Sequence, residues 1–341
     1  NEHGGSVIST TFDKYCYVNV RHLPRFFEYK TELAYSKMER VTNIADIIHP
    51  AIREAMKFLD MHEIRLTYEA DLPAGLGTSS SFAVGMLSAF YALKGKYADK
   101  KKLADEAIYL ERTLCDEAGG WQDQIAASFG GLNRIDFSDG AYNVNPIIIA
   151  PERKKALNEN LMLFFTGFTH FSAEVQEANK GNDKTKQKIE MLKLVDIAQN
   201  ILTDKEVDLN EFGKLLDLTW KLKRQTGAKI STDSIDYLYN KGIKVGALGG
   251  KLLGAGGGGF LLFYVEKEKQ KKVLEAMSDL MYVPFEFETK AAVLRSAGNH
   301  RPCGGFLRDH HGSVVSACDQ CVDMTEELNR LQIFVLAKLV W

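Results

Sequence analysis

The chain has 341 residues, of which 45% are hydrophobic and 26% are charged, and its formal net charge is −2. This composition is typical of a globular protein with two domains or one large one, and the near-neutral charge argues against a nucleic-acid-binding surface, which needs clustered excess lysine and arginine. No run of about eighteen apolar residues occurs, so no membrane span is predicted, and five irregularly spaced cysteines favour a reducing compartment, with the cytoplasm as the expected location.

The first part of the chain is predicted to alternate between strands and helices. An alternating stretch over 6–20, rich in Val, Thr and Tyr, predicts a strand or hairpin. A helix is predicted over 47–60, followed by a strand centred on Leu66 and a helix that runs to Leu93. The next helix is predicted over 101–115.

Residues 71–82 join that strand to the helix ending at Leu93, with the sequence Asp-Leu-Pro-Ala-Gly-Leu-Gly-Thr-Ser-Ser-Ser-Phe. A glycine turn lets the backbone approach a ligand closely, and the first turn of a helix has free N–H groups at the positive end of its dipole. Hydroxyl groups can donate to phosphate oxygens or coordinate a hard cation. Ser and Thr are also the preferred helix caps, but one cap needs one hydroxyl and not four in a row. The segment therefore predicts a phosphate-binding site.

The second part of the chain mixes strands and helices in a less regular order. Strands are predicted over 133–137, 141–149, 161–165, 260–265 and 283–287, and helices over 172–203, 209–225, from 232 onward and over 267–280. The polar segment 151–155 marks the predicted domain boundary. Because this order lacks the regular β-α-β alternation of a doubly wound sheet, the predicted class is α+β.

The segment from residue 297 onward differs in character and is predicted to be a separate tail. It contains three of the five cysteines and three of the eight histidines. Cys318 and Cys321, with Cys303 and the pair His310-His311, suggest zinc, but a second pair at finger-like spacing is missing. A zinc site is therefore not predicted.

Two carboxylates stand near the predicted phosphate site. Asp123 lies between two glutamines in Gly-Gly-Trp-Gln-Asp-Gln, and Glu111 lies twelve residues earlier on the preceding predicted helix. A lone Asp is usually a cap or turn residue, and a helical Glu is usually a surface charge. Magnesium-dependent phosphoryl transfer, however, needs one carboxylate for the cation and one to orient the attacking hydroxyl. Both interpretations are open at this point.

A second glycine-rich loop, Gly-Ala-Gly-Gly-Gly-Gly, covers residues 254–259. It precedes an apolar strand, whereas the dinucleotide-binding fingerprint follows a strand and opens a helix. A loop of this kind lets the main chain press against another segment or a ligand. A tight loop with no ligand would explain the motif equally well.

Three segments together resemble the GHMP small-molecule kinases. Residues 73–81, 119–124 and 250–260 resemble the second motif, the catalytic-aspartate segment and the third motif of these kinases, in the same order and with similar spacing. Segments 46–54, 122–131 and 164–171 resemble the subfamily of bacterial D-glycero-D-manno-heptose 7-phosphate kinases. The resemblance extends from residue 1 to about 295.

The resemblance implies a ribosomal S5 domain 2-like N-terminal domain over 1–152 and a ferredoxin-like C-terminal domain over 153–296, with 297–341 unassigned. ATP and Mg²⁺ would bind between the domains, Asp123 would be the catalytic base, and Ser79 and Glu111 would be the magnesium ligands. The residues implied in nucleotide binding are Gly75, Leu76, Gly77, Thr78, Ser79, Ser80, Ser81, Gly254, Gly256, Gly257 and Gly258.

The implied activity is ATP-dependent phosphorylation of the anomeric hydroxyl of a sugar phosphate, with D-glycero-D-manno-heptose 7-phosphate as the implied acceptor and the 1,7-bisphosphate as product. Alternatives are a kinase of the galactose or fucose type and an inactive nucleotide-binding protein of this fold. The second alternative arises because these kinases normally begin with a strand and a Gly-Gly-Gly-Thr-Asp turn, which are not seen before Asn1. Without that strand, one sheet edge is expected to be unpaired. Partners other than the small-molecule substrate are not implied, and the oligomeric state is open.

Overall fold

The computed structural model describes residues 4–73, 76–167, 185–227, 230–254, 256–289 and 331–340. These ranges form two β-sheets with helices packed against them, which confirms the predicted α+β class. The strands are β1 (Gly5–His22), β2 (Thr31–Ala34), β3 (Met38–Val41), β4 (Ile64–Ala70), β5 (Asn133–Ser138), β6 (Ala141–Pro146), β7 (Leu161–Phe165), β8 (Gly249–Leu252), β9 (Phe260–Tyr264), β10 (Met281–Val283), β11 (Phe287–Glu288) and β12 (Leu331–Val340). The helices are α1 (Pro50–Phe58), α2 (Thr78–Leu93), α3 (Lys100–Tyr109), α4 (Gln122–Phe129), α5 (Pro151–Glu159), α6 (Thr185–Thr203), α7 (Asn210–Arg224), α8 (Asp233–Lys244) and α9 (Lys267–Ala276).

The long strand β1 is the centre of the first sheet. It pairs antiparallel with β5 near its start and with β4 near its end. β2 lies parallel to β4 and β3 forms one edge, while β6 extends the sheet beyond β5. The apolar side chains of Ile8, Phe12 and Val18 are buried, but every residue over 7–12 is buried as well, so both faces of β1 are covered there and burial does not alternate.

Strand β12 completes the first sheet. It runs antiparallel along β1 between Ile8 and Val18. Cys16 pairs with both β4 and β12, so β12 lies on the edge of β1 opposite β4. The expectation of an unpaired edge is wrong for this stretch of β1, because β12 pairs with it.

The cysteines and histidines considered as zinc ligands lie within residues 303–321, which are outside the described residues.

Helix α2 is the core of the N-terminal part. Twelve of its sixteen residues are buried, so it is enclosed on almost every side. It packs against β1, α3 and α4. A buried helix has few ways to shift, since protein interiors are close-packed. Its first turn therefore presents the predicted phosphate site on a rigid support.

The second sheet has the strand order β10-β7-β9-β8 and is antiparallel throughout. α7 packs on β8 so closely that a Cβ atom on Gly249 would lie 1.9 Å from the carbonyl oxygen of Gly213. The sequence did not predict β8, because Gly249 and Gly250 have low strand propensity. The close contact with α7 explains Gly249, whereas a Cβ atom on Gly250 would lie 2.4 Å from the carbonyl oxygen of Leu262 in β9.

Four sequence predictions can be compared with the structure in more detail. The polar segment 151–155, the predicted domain boundary, begins helix α5, because Pro151 stands at a first-turn position that tolerates proline. The helix predicted over 101–115 leaves α-helical geometry after Tyr109. The strand predicted over 283–287 is replaced by the short strands β10 and β11, and only residues 185–203 of the helix predicted over 172–203 are described. Within the described ranges, no helix is both long enough and apolar enough to cross a membrane.

Candidate active site

The first turn of α2 presents uncapped backbone N–H groups. Gly77, the residue before the helix, has φ of +74°, a left-handed conformation that favours glycine. In the described part of the chain no side chain caps the helix at this residue. Backbone donors at the positive end of the helix dipole suit an anion such as phosphate. This geometry argues against the alternative of an ordinary capped helix.

The four hydroxyl residues of this turn point in different directions. Thr78, Ser80 and Ser81 are buried, whereas Ser79 is exposed. The Ser80 hydroxyl donates to Oε2 of Glu111 at 3.3 Å. Ser80 therefore contacts the carboxylate, while Ser79 is open to solvent and to ligands. Gly75, the first residue of the predicted phosphate loop, lies outside the described residues.

Glu111 is deeply buried and lies on a π-helical turn, Leu110–Leu114, that follows α3. Such turns are rare and often mark functional sites. The Gln124 side-chain amide donates to Oε2 of Glu111, and the Arg112 guanidinium lies 3.3 Å from the same oxygen. The other oxygen, Oε1, is buried and has no hydrogen-bond partner among the described residues. A buried carboxylate with one unused oxygen is a candidate cation ligand.

The electrostatic state of Glu111 reflects this burial. Burial raises the pKa of its carboxyl to about 7, against the opposing effects of the Arg112 cation and the hydrogen bond from Gln124. The charges of Glu117 and Asp123 raise this pKa further. A divalent cation at Oε1 would favour the charged form and offset the burial cost.

Asp123 is close enough to affect Glu111 electrostatically. It is the second residue of α4, is partly buried, and follows the Gly119-Gly120 turn. α4 packs directly against α2 and α3. The fold therefore brings the predicted base, the predicted metal ligand and the hydroxyl-rich turn to one place.

The second glycine-rich loop is held from three sides. The Lys223 ammonium group donates to the carbonyl oxygen of Gly254 at 2.7 Å, and the N–H of Gly257 donates to Ile230 at 3.0 Å. Thr166 exchanges hydrogen bonds with the N–H and carbonyl of Gly259. These contacts give the loop a fixed backbone shape rather than a free one.

Apolar packing joins the two glycine segments. Leu76, in the first segment, belongs to the same buried cluster as Leu253 and Phe260, which flank the second. Gly256 and Gly257 have φ of +124° and +77°, and Gly258 is buried beside them. The buried apolar core is therefore continuous from the first glycine segment to the second.

Substituting Gly256 tests this loop directly. Its Cβ would lie 2.9 Å from the backbone of Ile230, and its φ is unfavourable for other residues. We expect Gly256→Ala to destabilise the fold by about 1–3 kcal/mol, measured by denaturant unfolding. Gly95→Ala is the matched control, since its φ is also positive (+65°) but no atom lies within 4 Å of the added Cβ. Equal losses of stability in the two variants would mean that the positive φ, and not the contact with Ile230, causes the destabilisation.

Four residues of this site were not predicted: Gln124, Arg112, Thr166 and Lys223. Each acts on another residue rather than on a ligand. Gln124 and Thr166 lie within the family-like segments 119–124 and 164–171, and Arg112 lies beside Glu111, but these positions gave no role to their side chains. In the described part of the chain, no group of three or more His, Cys, Asp or Glu residues is arranged around a metal. A magnesium ion here would therefore depend on Glu111, a hydroxyl and phosphate oxygens, which is a usual donor set for this ion.

Two sequence models of one family match the chain. The one described as GHMP kinases N terminal domain matches residues 41–131, and the one described as GHMP kinases C terminal matches residues 201–283. Together they match just over half of the chain.

Curated relatives include sugar kinases. The D-glycero-alpha-D-manno-heptose 7-phosphate kinase of Campylobacter jejuni is 31% identical over 219 residues, which make up 61% of this chain and 63% of that protein. The bifunctional fucokinase/GDP-fucose pyrophosphorylase of Arabidopsis thaliana is 26% identical over 275 residues, 76% of this chain and 25% of that protein. The chain thus spans less than two thirds of the length of either relative.

A solved structure has the same fold. The crystal structure of a D-glycero-D-manno-heptose 1-phosphate kinase from Bacteriodes thetaiotaomicron superposes with a TM-score of 0.66, covering 84% of this chain and 89% of that one. The sequences are 22% identical, so this likeness concerns the fold alone. The predicted two-domain fold is confirmed.

Proposed function

The chain belongs to the GHMP kinase family, and from this premise we propose that it transfers the terminal phosphoryl group of ATP to the anomeric hydroxyl of a sugar phosphate. The observation that carries the proposal is the buried Glu111 carboxylate. It is held by Ser80 and Gln124, keeps one oxygen unused among the described residues, and lies near Asp123. A purely structural Glu would be expected to use both oxygens.

In the proposed reaction each residue has a separate task. The N–H groups at the start of α2 bind the phosphates of ATP. The Asp123 carboxylate accepts the proton of the acceptor hydroxyl as its oxygen attacks the γ-phosphorus. The bond from that phosphorus to the β–γ bridging oxygen breaks, and ADP leaves. Catalysis then depends mainly on positioning and on charge stabilisation.

Magnesium would fit beside Glu111. Ser79 and Glu111 are the proposed ligands on the family resemblance, and Oε1 of Glu111 has no partner in the described ranges, although Ser80 and not Ser79 contacts this carboxylate. Ser80 and Gln124 would then orient the carboxylate through its other oxygen. When bound, Mg²⁺ would neutralise charge on the β- and γ-phosphates.

A heptose 7-phosphate is the proposed acceptor, with the 1,7-bisphosphate as product. The support is the 31% identity to a heptose 7-phosphate kinase. The test is ADP release with ATP and Mg²⁺ over a panel of D-glycero-D-manno-heptose 7-phosphate, the unphosphorylated heptose, L-fucose and D-galactose, with the product identified by ³¹P NMR. We expect kcat/KM to be at least about tenfold higher for the heptose 7-phosphate than for the other sugars.

A fucose-type kinase is the second candidate, because the fucokinase relative matches 76% of this chain. Preference for L-fucose in the same panel would replace the heptose assignment. If ATP stabilises the protein against heat but no ADP is formed with any sugar of the panel, the chain is instead an inactive nucleotide-binding protein.

A further inference from the structure

The Arg112 guanidinium group lies between the Glu111 carboxylate and the turn that precedes α4. Its Nη2 atom is 3.3 Å from Oε2 of Glu111. Its Nη1 atom donates to the carbonyl oxygens of Glu117 and Ala118, both at 3.0 Å, and its Nε atom donates to the carbonyl oxygen of Gly120 at 3.2 Å. One side chain thus contacts the proposed metal ligand and three backbone carbonyls of the turn.

The backbone of this turn is shaped around the guanidinium. A Cβ atom built on Gly119 would lie 2.9 Å from Cζ and from both Nη atoms of Arg112, so the guanidinium plane faces this residue directly. Gly119 has φ of +151°, near the limit of the region that favours glycine. A second contact fixes the start of the turn, where the N–H of Glu117 donates to the carbonyl of Glu111 at 2.9 Å.

Arginine is the only side chain that can make this set of contacts. Its planar fork carries five N–H donors in fixed directions, whereas a lysine ammonium is a compact point charge. Arg112 also lies on the same π-helical turn as Glu111, so one stretch of backbone sets the positions of both. Asp123 follows three residues after Gly120, the last carbonyl that Arg112 binds.

We propose that Arg112 is a positioning residue that fixes Asp123 relative to Glu111. This inference rests on the proposed function, which assigns proton transfer to Asp123 and the metal to Glu111. Arg112 itself contacts neither substrate in this scheme. Its effect on the reaction comes from geometry, because a displacement of about 1 Å can lower a rate by about 10²-fold.

The first test compares Arg112→Lys with the unmodified protein in steady-state kinetics. We expect kcat to fall by about 10- to 100-fold while KM for ATP stays within about threefold, since the charge next to the proposed phosphate site is kept. Arg25→Lys is the control, because the Arg25 side chain is 88% exposed and forms only a surface ion pair with Glu63 among the described residues. That variant should match the unmodified protein.

A second test needs no turnover. Amide hydrogen exchange of Glu117, whose N–H donates to the carbonyl of Glu111, should become about tenfold faster in Arg112→Lys, while exchange in α1 and β4 stays the same. Gly119→Ala should produce the same local acceleration, because the added Cβ displaces the guanidinium.

Three results would overturn the inference: unchanged kcat in Arg112→Lys, unchanged exchange of the Glu117 amide, or faster exchange throughout the protein, which would mean a general role in folding. If the unmodified protein phosphorylates none of the sugars, the proposed function fails by itself. In that case the exchange comparison still decides whether Arg112 holds the turn.

Discussion

Replacing Asp123 with asparagine is expected to lower kcat by about 10²- to 10⁴-fold, the usual contribution of a general base. Asparagine has nearly the same shape but cannot accept the proton of the acceptor hydroxyl. Asp123 lies on α4 and outside the first turn of α2, so ATP should still bind with an affinity within a few-fold of normal. Steady-state ADP release gives kcat, and titration calorimetry with an ATP analogue gives the affinity.

Asp116→Asn is the matched control for this variant. Asp116 lies in the segment that precedes α4, is exposed, and has φ of +52°, which asparagine tolerates well. It should keep normal turnover. Turnover within threefold of normal in Asp123→Asn would remove this carboxylate from the reaction and leave the fold assignment untouched.

Replacing Glu111 with glutamine is expected to lower kcat by about 10²- to 10³-fold at saturating Mg²⁺, because a charged stabiliser of the phosphates is lost. The amide is nearly isosteric, and its oxygen can still accept from Ser80. The Mg²⁺ concentration at half-maximal rate should rise as well. Glu117→Gln is the control, since it neutralises a nearby exposed carboxylate; an equal loss in both variants would point to general electrostatics instead.

The same Glu111→Gln change should stabilise the metal-free protein. The pKa of this carboxyl rises from 4.5 to about 7 on folding, so the folded state binds the proton more tightly than the unfolded state. The destabilisation of the folded state by the Glu111 charge is therefore absent below pH 4.5, grows as the pH rises to 7, and is complete above pH 7. We expect the variant to gain on the order of 3 kcal/mol at most at pH 8, and much less at pH 5. Thermal unfolding in EDTA at the two pH values measures the difference, and equal changes at both would contradict a buried charge at Glu111.

Opposite effects on stability and turnover are expected where a site binds a cation. The buried Glu111 charge is unfavourable in the metal-free protein, because the Arg112 cation and the Gln124 hydrogen bond offset only part of its burial cost. A bound divalent cation would offset more of that cost. The same Glu111→Gln variant is therefore expected to gain stability and lose turnover.

The sequence was enough to propose a phosphate site at the first turn of α2, but not to give the geometry of that turn. Consecutive glycines and hydroxyls between a strand and a helix identified the first turn of α2. Which hydroxyl meets Glu111 depends on the phase of the helix, because each residue turns about 100° from the last. Ser80 faces inward to Glu111 and Ser79 faces outward, and nothing local in the row of hydroxyls distinguishes them.

Glu111 shows why a helical pattern can mislead. On a regular helix over 101–115 it would most simply be a surface charge. The chain instead widens to π-helical geometry at Leu110, which changes the direction of the residues that follow. Partners distant in sequence, Ser80 and Gln124, then surround its carboxylate. Tertiary contacts of this kind leave no trace in the local periodicity.

Strand β1 pairs with segments that are synthesised much later than itself. Thr11 lies opposite Glu288 in β11, and Ile8 lies opposite Val340 in β12. On the ribosome, therefore, the first sheet stays incomplete until the whole second sheet has been made. Contacts between such distant residues form slowly, and an open strand edge invites pairing between nascent chains during the wait. Vectorial synthesis of this protein thus creates a period of aggregation risk, which a chaperone that shields the edge of β1 would shorten.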